Sequence, residues 1–194
     1  MALRSYQEIA ITQLRNAMAQ HSKALLVMPT GSGKTVVFSE ICRLAVNKSR
    51  KVLILVHRRE LVKQASDKLT KAGVEHGIIA AGFKPSAHSV QVASVQTLAR
   101  RLRTVPVEPD LIIIDEAHHA VAGSWDKILL HYKDAKVVGV TATPSRLDGR
   151  GLGSHFSTLI SGPSVEQLTK LGFLSQHRVF APPVIADLKN VKTR

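Results

Sequence analysis

The sequence predicts an α/β fold in which helices cover both faces of an open, mostly parallel sheet. Three observations lead there. Short apolar segments alternate along the chain with segments of helical period. The segments at 52–56 and 111–114 are apolar without a break, as strands buried on both faces are. Hydrophobic residues make up 44% of the chain but aromatics only 4%, so the core must be built from Val, Ile, Leu and Ala. At 194 residues the chain has material for one substantial core, and a single domain is expected.

The elements follow in order. Residues 6–20 read as a helix, with Ile9, Leu14 and Met18 at roughly helical spacing. Residues 24–28 form a short strand that ends at Pro29, and a Gly-rich turn leads into a helix at 34–46. The strand at 52–56 precedes a helix at 60–71 that closes at Gly73. Weaker strands at 78–80 and 90–93 come before a helix at 95–102, which carries Arg100 and Arg101 and is followed by Arg103. The run at 111–114, the most apolar in the chain, stops abruptly at Asp115. A helix at 125–132 and a strand at 137–141 follow, the latter expected to lie beside 111–114. Past Pro144 the pattern loosens into a Gly-rich stretch at 149–153, then a short helix at 165–171 and a last strand at 178–180. The domain is therefore expected over 1–180, and 181–194, opening on Ala181-Pro182-Pro183, reads as the start of a linker. Ligands in such a sheet bind at the carboxyl ends of the strands.

Charge points to a partner. Lys and Arg outnumber Asp and Glu by 27 to 14, for a formal net charge of +13. Such an excess favours polyanions, because neutralised phosphates release their condensed counterions; a merely solvated basic surface is the alternative. No apolar run approaches the roughly 20 residues of a membrane helix, and no secretory pattern opens the chain. Cys42 is the only cysteine, read as buried packing, so neither an intrachain disulfide nor a cysteine zinc site is expected. His118 and His119 are adjacent and lack metal-ligand spacing. The expectation is a cytoplasmic protein with no membrane partner.

Met28-Pro29-Thr30-Gly31-Ser32-Gly33-Lys34-Thr35 follows a strand and opens a helix, the context of a phosphate-binding loop of the Walker A type. Gly31 and Gly33 let backbone N–H groups converge on phosphate oxygens, with Thr30 and Ser32 in the same loop. Lys34 would reach the β and γ phosphates, and the Thr35 hydroxyl would ligate Mg²⁺. Met28 stands where the strict pattern has its first glycine, and a glycine turn capping a helix is the plainer reading. Asp115 leaves the end of a central strand, placed to hold Mg²⁺, and Glu116 is placed to activate a water. Taken alone, the pair could equally be a helix N-cap and its first-turn acid.

Gly31-Ser32-Gly33-Lys34-Thr35, Asp115-Glu116-Ala117-His118 and Thr141-Ala142-Thr143-Pro144, in that order, resemble motifs I, II and III of the DEAH-type superfamily 2 helicases. The resemblance spans nearly the whole chain. It implies the N-terminal RecA-like, P-loop NTPase domain of an ATP-driven motor, with ATP and Mg²⁺ as ligands. Leu3-Arg4-Ser5-Tyr6-Gln7 looks like the adenine-recognition motif, which implies that Gln7 reads the base edge while Arg4 or Tyr6 packs near it; otherwise Tyr6 and Gln7 merely open a helix. His57-Arg58-Arg59 and Ser94-Val95-Gln96-Thr97 resemble the segments that touch the nucleic-acid backbone. Arg100, Arg101 and Arg103 read instead as solvated charge. Thr141 and Thr143 look like the coupling motif, their hydroxyls bonding to the 115–118 turn, with His118 as a polar relay. Residues 145–152 extend the third motif as in restriction-subunit-like and repair-type DNA helicases, which favours DNA over RNA. Arginine fingers would come from a second RecA-like domain, in the same longer chain or in trans. Binding of nucleotide with poor turnover is therefore expected of this half alone. A nucleotide-gated clamp that does not unwind is the alternative.

Overall fold

The computed structural model describes residues 3–57, 59–84, 86–119, 123–144 and 152–176. The strands are β1 (Lys23–Val27), β2 (Val52–Val56), β3 (Gly77–Ile79), β4 (Val90–Ser94), β5 (Leu111–Asp115), β6 (Lys136–Thr141) and β7 (Thr158–Ser161). The helices are α1 (Ser5–Gln20), α2 (Lys34–Val46), α3 (Arg59–Lys71), α4 (Val95–Arg101), α5 (Ser124–His131) and α6 (Val165–Lys170). The seven strands form one sheet in the order β3-β4-β2-β5-β6-β1-β7, and every pairing is parallel. The expected α/β architecture is the one observed.

Alternation along the strands sorts the core into two layers. Ala24, Leu26, Ile54, Val92, Ile113 and Val138 face α1, α2, α3 and α6. Leu25, Leu53, Leu55, Ile112, Ile114 and Val137 face α4 and α5. Side chains in a strand point to opposite faces in turn, so an unbroken apolar run such as 52–56 feeds both layers. Cys42 is fully buried on α2, and burial pushes its thiol up to about 12, so it packs as a small apolar group.

Two differences from the sequence reading have physical causes. α1 buries Tyr6, Gln7, Ala10, Ile11 and Leu14, whereas Ile9 is 57% exposed. The helix is rotated because Tyr6 and Gln7 are tied to the loop after β1, which turns Ile9 outward. β7 was not expected; it is a four-residue edge strand in which only Ile160 is buried, too short to show a period. The strand foreseen at 178–180 and the linker at 181–194 lie outside the described residues, as do residues 145–151.

Candidate nucleotide and nucleic-acid site

β6 stands between β1 and β5, and their carboxyl ends are level: Val27 pairs with Thr141, and Asp115 with Val140. The three segments resembling nucleotide motifs therefore leave the sheet side by side. A backbone bond from Met28 N–H to the Thr141 carbonyl, 2.9 Å, ties the first loop to the tip of β6.

The loop after β1 is shaped by Gly31 and Gly33, both at φ +81°, where L side chains are strained. A Cβ at Gly33 would lie 2.5 Å from Gln7 Nε2, and one at Gly31 2.8 Å from Leu174 Cδ2, so a side chain at either position would also have to displace a neighbouring side-chain tip. Ser32 is wholly buried, its hydroxyl donating to the Pro29 carbonyl at 2.6 Å. Lys34 opens α2 and its ammonium rests 3.5 Å from the Met28 carbonyl, over the loop. Thr30 and Gly31 are exposed, and Gly33, Lys34 and Thr35 half-buried. The loop leads into the N-terminus of a 13-residue helix, with the Lys34 ammonium over it, so these residues fit a polyphosphate.

Arg4, Tyr6 and Gln7 hold this loop from outside. Tyr6 Oη donates to the Ser32 carbonyl at 2.8 Å and Gln7 Nε2 donates to the same oxygen at 3.1 Å. Gln7 Oε1 accepts the Arg4 backbone N–H at 3.0 Å. Tyr6 packs on Phe173 with centroids 5.3 Å apart, and the Arg4 guanidinium sits 4.6 Å over the same ring. Tyr6 and Gln7 are thus buried supports. A cavity of about 400 Å³ beside Thr35, lined also by Leu3, Val36, Ser39, Glu40 and Lys68, opens between α2 and α3.

At the end of β5, Asp115 and Glu116 are half-buried. Burial, and next the neighbouring Glu116 carboxylate, raises the Asp115 carboxyl above its ordinary value; Lys68, the Glu116 N–H and Lys34 pull the other way. Lys68 is a contributor that no motif announced, because only the packing of α3 brings its charge within reach. Glu116 adopts φ +51°, and its N–H donates to Asp115 Oδ1 at 3.0 Å. Such a left-handed residue without glycine's freedom is held there by its surroundings.

His118 Nδ1 lies 2.9 Å from Thr141 Oγ1 and 3.4 Å from Glu116 Oε2. The Thr141 hydroxyl donates to the Thr143 carbonyl at 3.0 Å and accepts the Thr143 N–H at 3.2 Å. With that proton directed at the Thr143 carbonyl, the bond between His118 and Thr141 requires Nδ1 of His118 to be the donor. The expected contact between His118 and Thr141 is present. The Thr143 hydroxyl, by contrast, makes no bond to the 115–118 turn among the described residues; Thr143 engages through its backbone. Thr141 is fully buried, so Thr141→Val should cost about 1–3 kcal/mol in urea unfolding by removing a shared partner from a buried network.

The residues expected to meet nucleic acid gather on the same edge. His57 follows β2 and Ser94 ends β4, with Val56 and Ser94 in register. Ser94 is buried, Thr97 half-buried and Gln96 exposed. Arg59 opens α3, and Arg58 lies outside the described residues. No helix among the described residues is long and apolar enough to cross a membrane.

Known proteins resemble this chain in sequence and in fold. A 51.5 kDa protein of a Lactococcus phage is 37% identical, over 88% of this chain and 35% of its own length. IRC3 of Saccharomyces cerevisiae, named as an ATP-dependent helicase, is 38% identical over 98% of this chain and 30% of its own. The chain thus spans about a third of the length of these curated relatives. The crystal structure of the Pyrococcus furiosus Hef helicase domain superposes with a TM-score of 0.68 at 25% identity, covering 87% of this chain and 39% of that one. The sequence model of the family described as "Type III restriction enzyme, res subunit" matches residues 1–146, so the chain belongs to that family and has the fold of the N-terminal RecA-like domain of superfamily 2 helicases.

Proposed function

We propose that this chain is the Mg-ATP-binding half of a DNA-stimulated motor, a helicase or translocase. The observation that carries the reading is the alignment of the 28–35, 115–118 and 141–144 segments at the ends of three adjacent strands, joined by the bond between His118 and Thr141. The backbone of residues 30–35 and the Lys34 ammonium hold the phosphates. The Thr35 hydroxyl and Asp115 would hold Mg²⁺, which neutralises charge on the phosphates when bound. Glu116 takes a proton from the attacking water while its oxygen bonds to the γ-phosphorus; the bond to the bridging oxygen breaks, leaving ADP and phosphate. The cavity beside Thr35 takes the base and sugar, with Arg4, Tyr6 and Gln7 fixing the loop they flank.

His118 and Thr141 relay the state of the Glu116 turn to β6, and Thr143 continues from it. His57, Arg58, Arg59, Ser94, Gln96 and Thr97 grip phosphates of the nucleic acid, contacts that position without reading sequence. DNA is favoured over RNA by the restriction-subunit family. A second RecA-like domain, reached through a linker beginning near residue 181 or supplied in trans, contributes arginine fingers worth about 10³–10⁵ in rate. The 194-residue chain should then bind a fluorescent ATP analogue in the presence of Mg²⁺ and hydrolyse ATP slowly. Complementation with a second domain should give hydrolysis stimulated by DNA. Equal rates with DNA, RNA or neither would remove nucleic acid from the mechanism. Stimulated hydrolysis without strand displacement or translocation would make the assembly a nucleotide-gated clamp.

A further inference from the structure

α4 and α5 pack side by side on the face of the sheet opposite α2, and a groove runs between them. It comprises an opening of about 290 Å³ beside Gln96 and Ser124 and one of about 420 Å³ towards Arg103 and His131. Both are lined by Ala99, Arg100 and Lys127, which makes them one continuous feature. Helical spacing explains the alignment: Gln96 and Arg100 are four apart on α4, as are Lys127 and His131 on α5, so each pair faces the same way. Arg103 follows just past the end of α4.

Three cations, Arg100, Arg103 and Lys127, line this groove together. Arg43, Arg50 and Lys170 each lie against a carboxylate, of Glu40, Asp110 and Glu166 respectively. Among the described residues, Arg100, Arg103 and Lys127 have no such partner, and no carboxylate lines either opening. Like charges are brought together on one concave surface with neutral hydrogen-bonding groups, Gln96 and Ser124, at its upper end. A groove lined by one sign of charge focuses the field and gathers counterions of the other. Its upper end is Gln96, in the segment already placed on the nucleic-acid edge.

We infer that the groove between α4 and α5 is a second phosphate-backbone site, which carries nucleic acid beyond the sheet edge and down the flank of the domain. The inference rests on the nucleic-acid part of the proposed function. Continuity with Gln96 favours a nucleic-acid backbone over an acidic protein segment. The acids Glu108 and Asp134 line the next opening, past Arg103 and His131, and mark the lower limit of the basic stretch. Arg100, Arg103 and Lys127 supply sequence-independent grip there, each neutralising a phosphate, and each should therefore add to the salt dependence of binding.

The test is fluorescence anisotropy of labelled single-stranded DNA, duplex DNA and RNA with the 194-residue chain across a salt series. The variant Arg100→Gln/Arg103→Gln/Lys127→Gln is compared with Lys23→Gln/Lys48→Gln/Lys170→Gln, which removes the same charge from other surfaces. The groove variant should lower the slope of log K against log salt by about 3, one for each lost phosphate contact, and weaken binding at least tenfold at low salt. The matched control should keep most of the slope, and melting curves of both should show intact folding. Equal losses in the two variants, or none in the groove variant while the wild type binds, would overturn the groove site alone. Absence of binding by the wild type to every nucleic acid would overturn the groove and the nucleic-acid reading together. Loss of binding to labelled polyglutamate, with DNA binding intact, would reassign the groove to an acidic protein partner.

Discussion

Glu116→Gln is expected to leave nucleotide binding within a few-fold of wild type while lowering single-turnover ATP hydrolysis by about 10²–10⁴, the usual contribution of a positioned general base. The amide keeps the size of the side chain but cannot take a proton. The left-handed backbone at Glu116 and its N–H bond to Asp115 involve no side-chain atom of Glu116, so the turn should keep its shape. Lys34→Ala is the informative contrast. It removes the cation held over the loop and should weaken binding itself, seen as a loss of analogue fluorescence at the same Mg²⁺ concentration. Hydrolysis by Glu116→Gln at the wild-type rate would take the role of base away from that residue.

Asp115→Asn should separate stability from function. Burial, and after it the Glu116 carboxylate, raises the Asp115 carboxyl. An acid whose pKa is higher in the folded than in the unfolded state makes the native state bind more protons between the two values. Stability therefore falls as pH rises from the ordinary carboxyl value through the folded one, and the deficit persists at neutral pH. Asn carries no charge to bury, so the ligand-free variant should melt higher than wild type at pH 7. The gain should vanish at about pH 3, where Asp115 is protonated folded or unfolded. Saturating Mg-ATP should reverse the ranking: at a hundred times Kd a ligand adds about 2.7 kcal/mol to the wild type, and the variant without its metal ligand should gain little. A lower ligand-free melting temperature for Asp115→Asn at pH 7 would show that Lys68 and Lys34 outweigh burial.

Much of this architecture was legible because it rests on local signals. The runs 52–56 and 111–114 declare strands buried on both faces, and the glycines at 31 and 33 declare a turn that only glycine tolerates. The junction of Ile114 with Asp115 marks a strand end with a carboxylate on it. What escaped depends on neighbours distant in sequence. Ile9 has helical spacing, yet the anchoring of Tyr6 on Ser32 turns it to solvent. Gln7 is expected to read the base edge, and no sequence signal shows that without nucleotide its oxygen and amide are both engaged within the chain. Arg100 and Arg103 read as ordinary solvated charge, and only the lateral packing of α4 on α5 sets them opposite Lys127. Lys68 is similar: nothing in 59–71 distinguishes it until α3 is placed on the sheet.

The position of β6 has a consequence for how the domain comes to exist. During synthesis β1 emerges first and β5 much later, and β6, which must stand between them, later still. Lys23 and Val137, paired neighbours in the sheet, are more than a hundred positions apart in the chain. Such pairings close long loops before they yield any contact energy, so they come late and slowly in folding. Until residue 141 has joined the sheet, both β1 and β5 present an open edge on the side where β6 belongs, the kind of surface that invites association with other chains. Nucleotide cannot act as a template for these early stages, because the loops that would hold it are not yet neighbours; it can stabilise only the finished sheet.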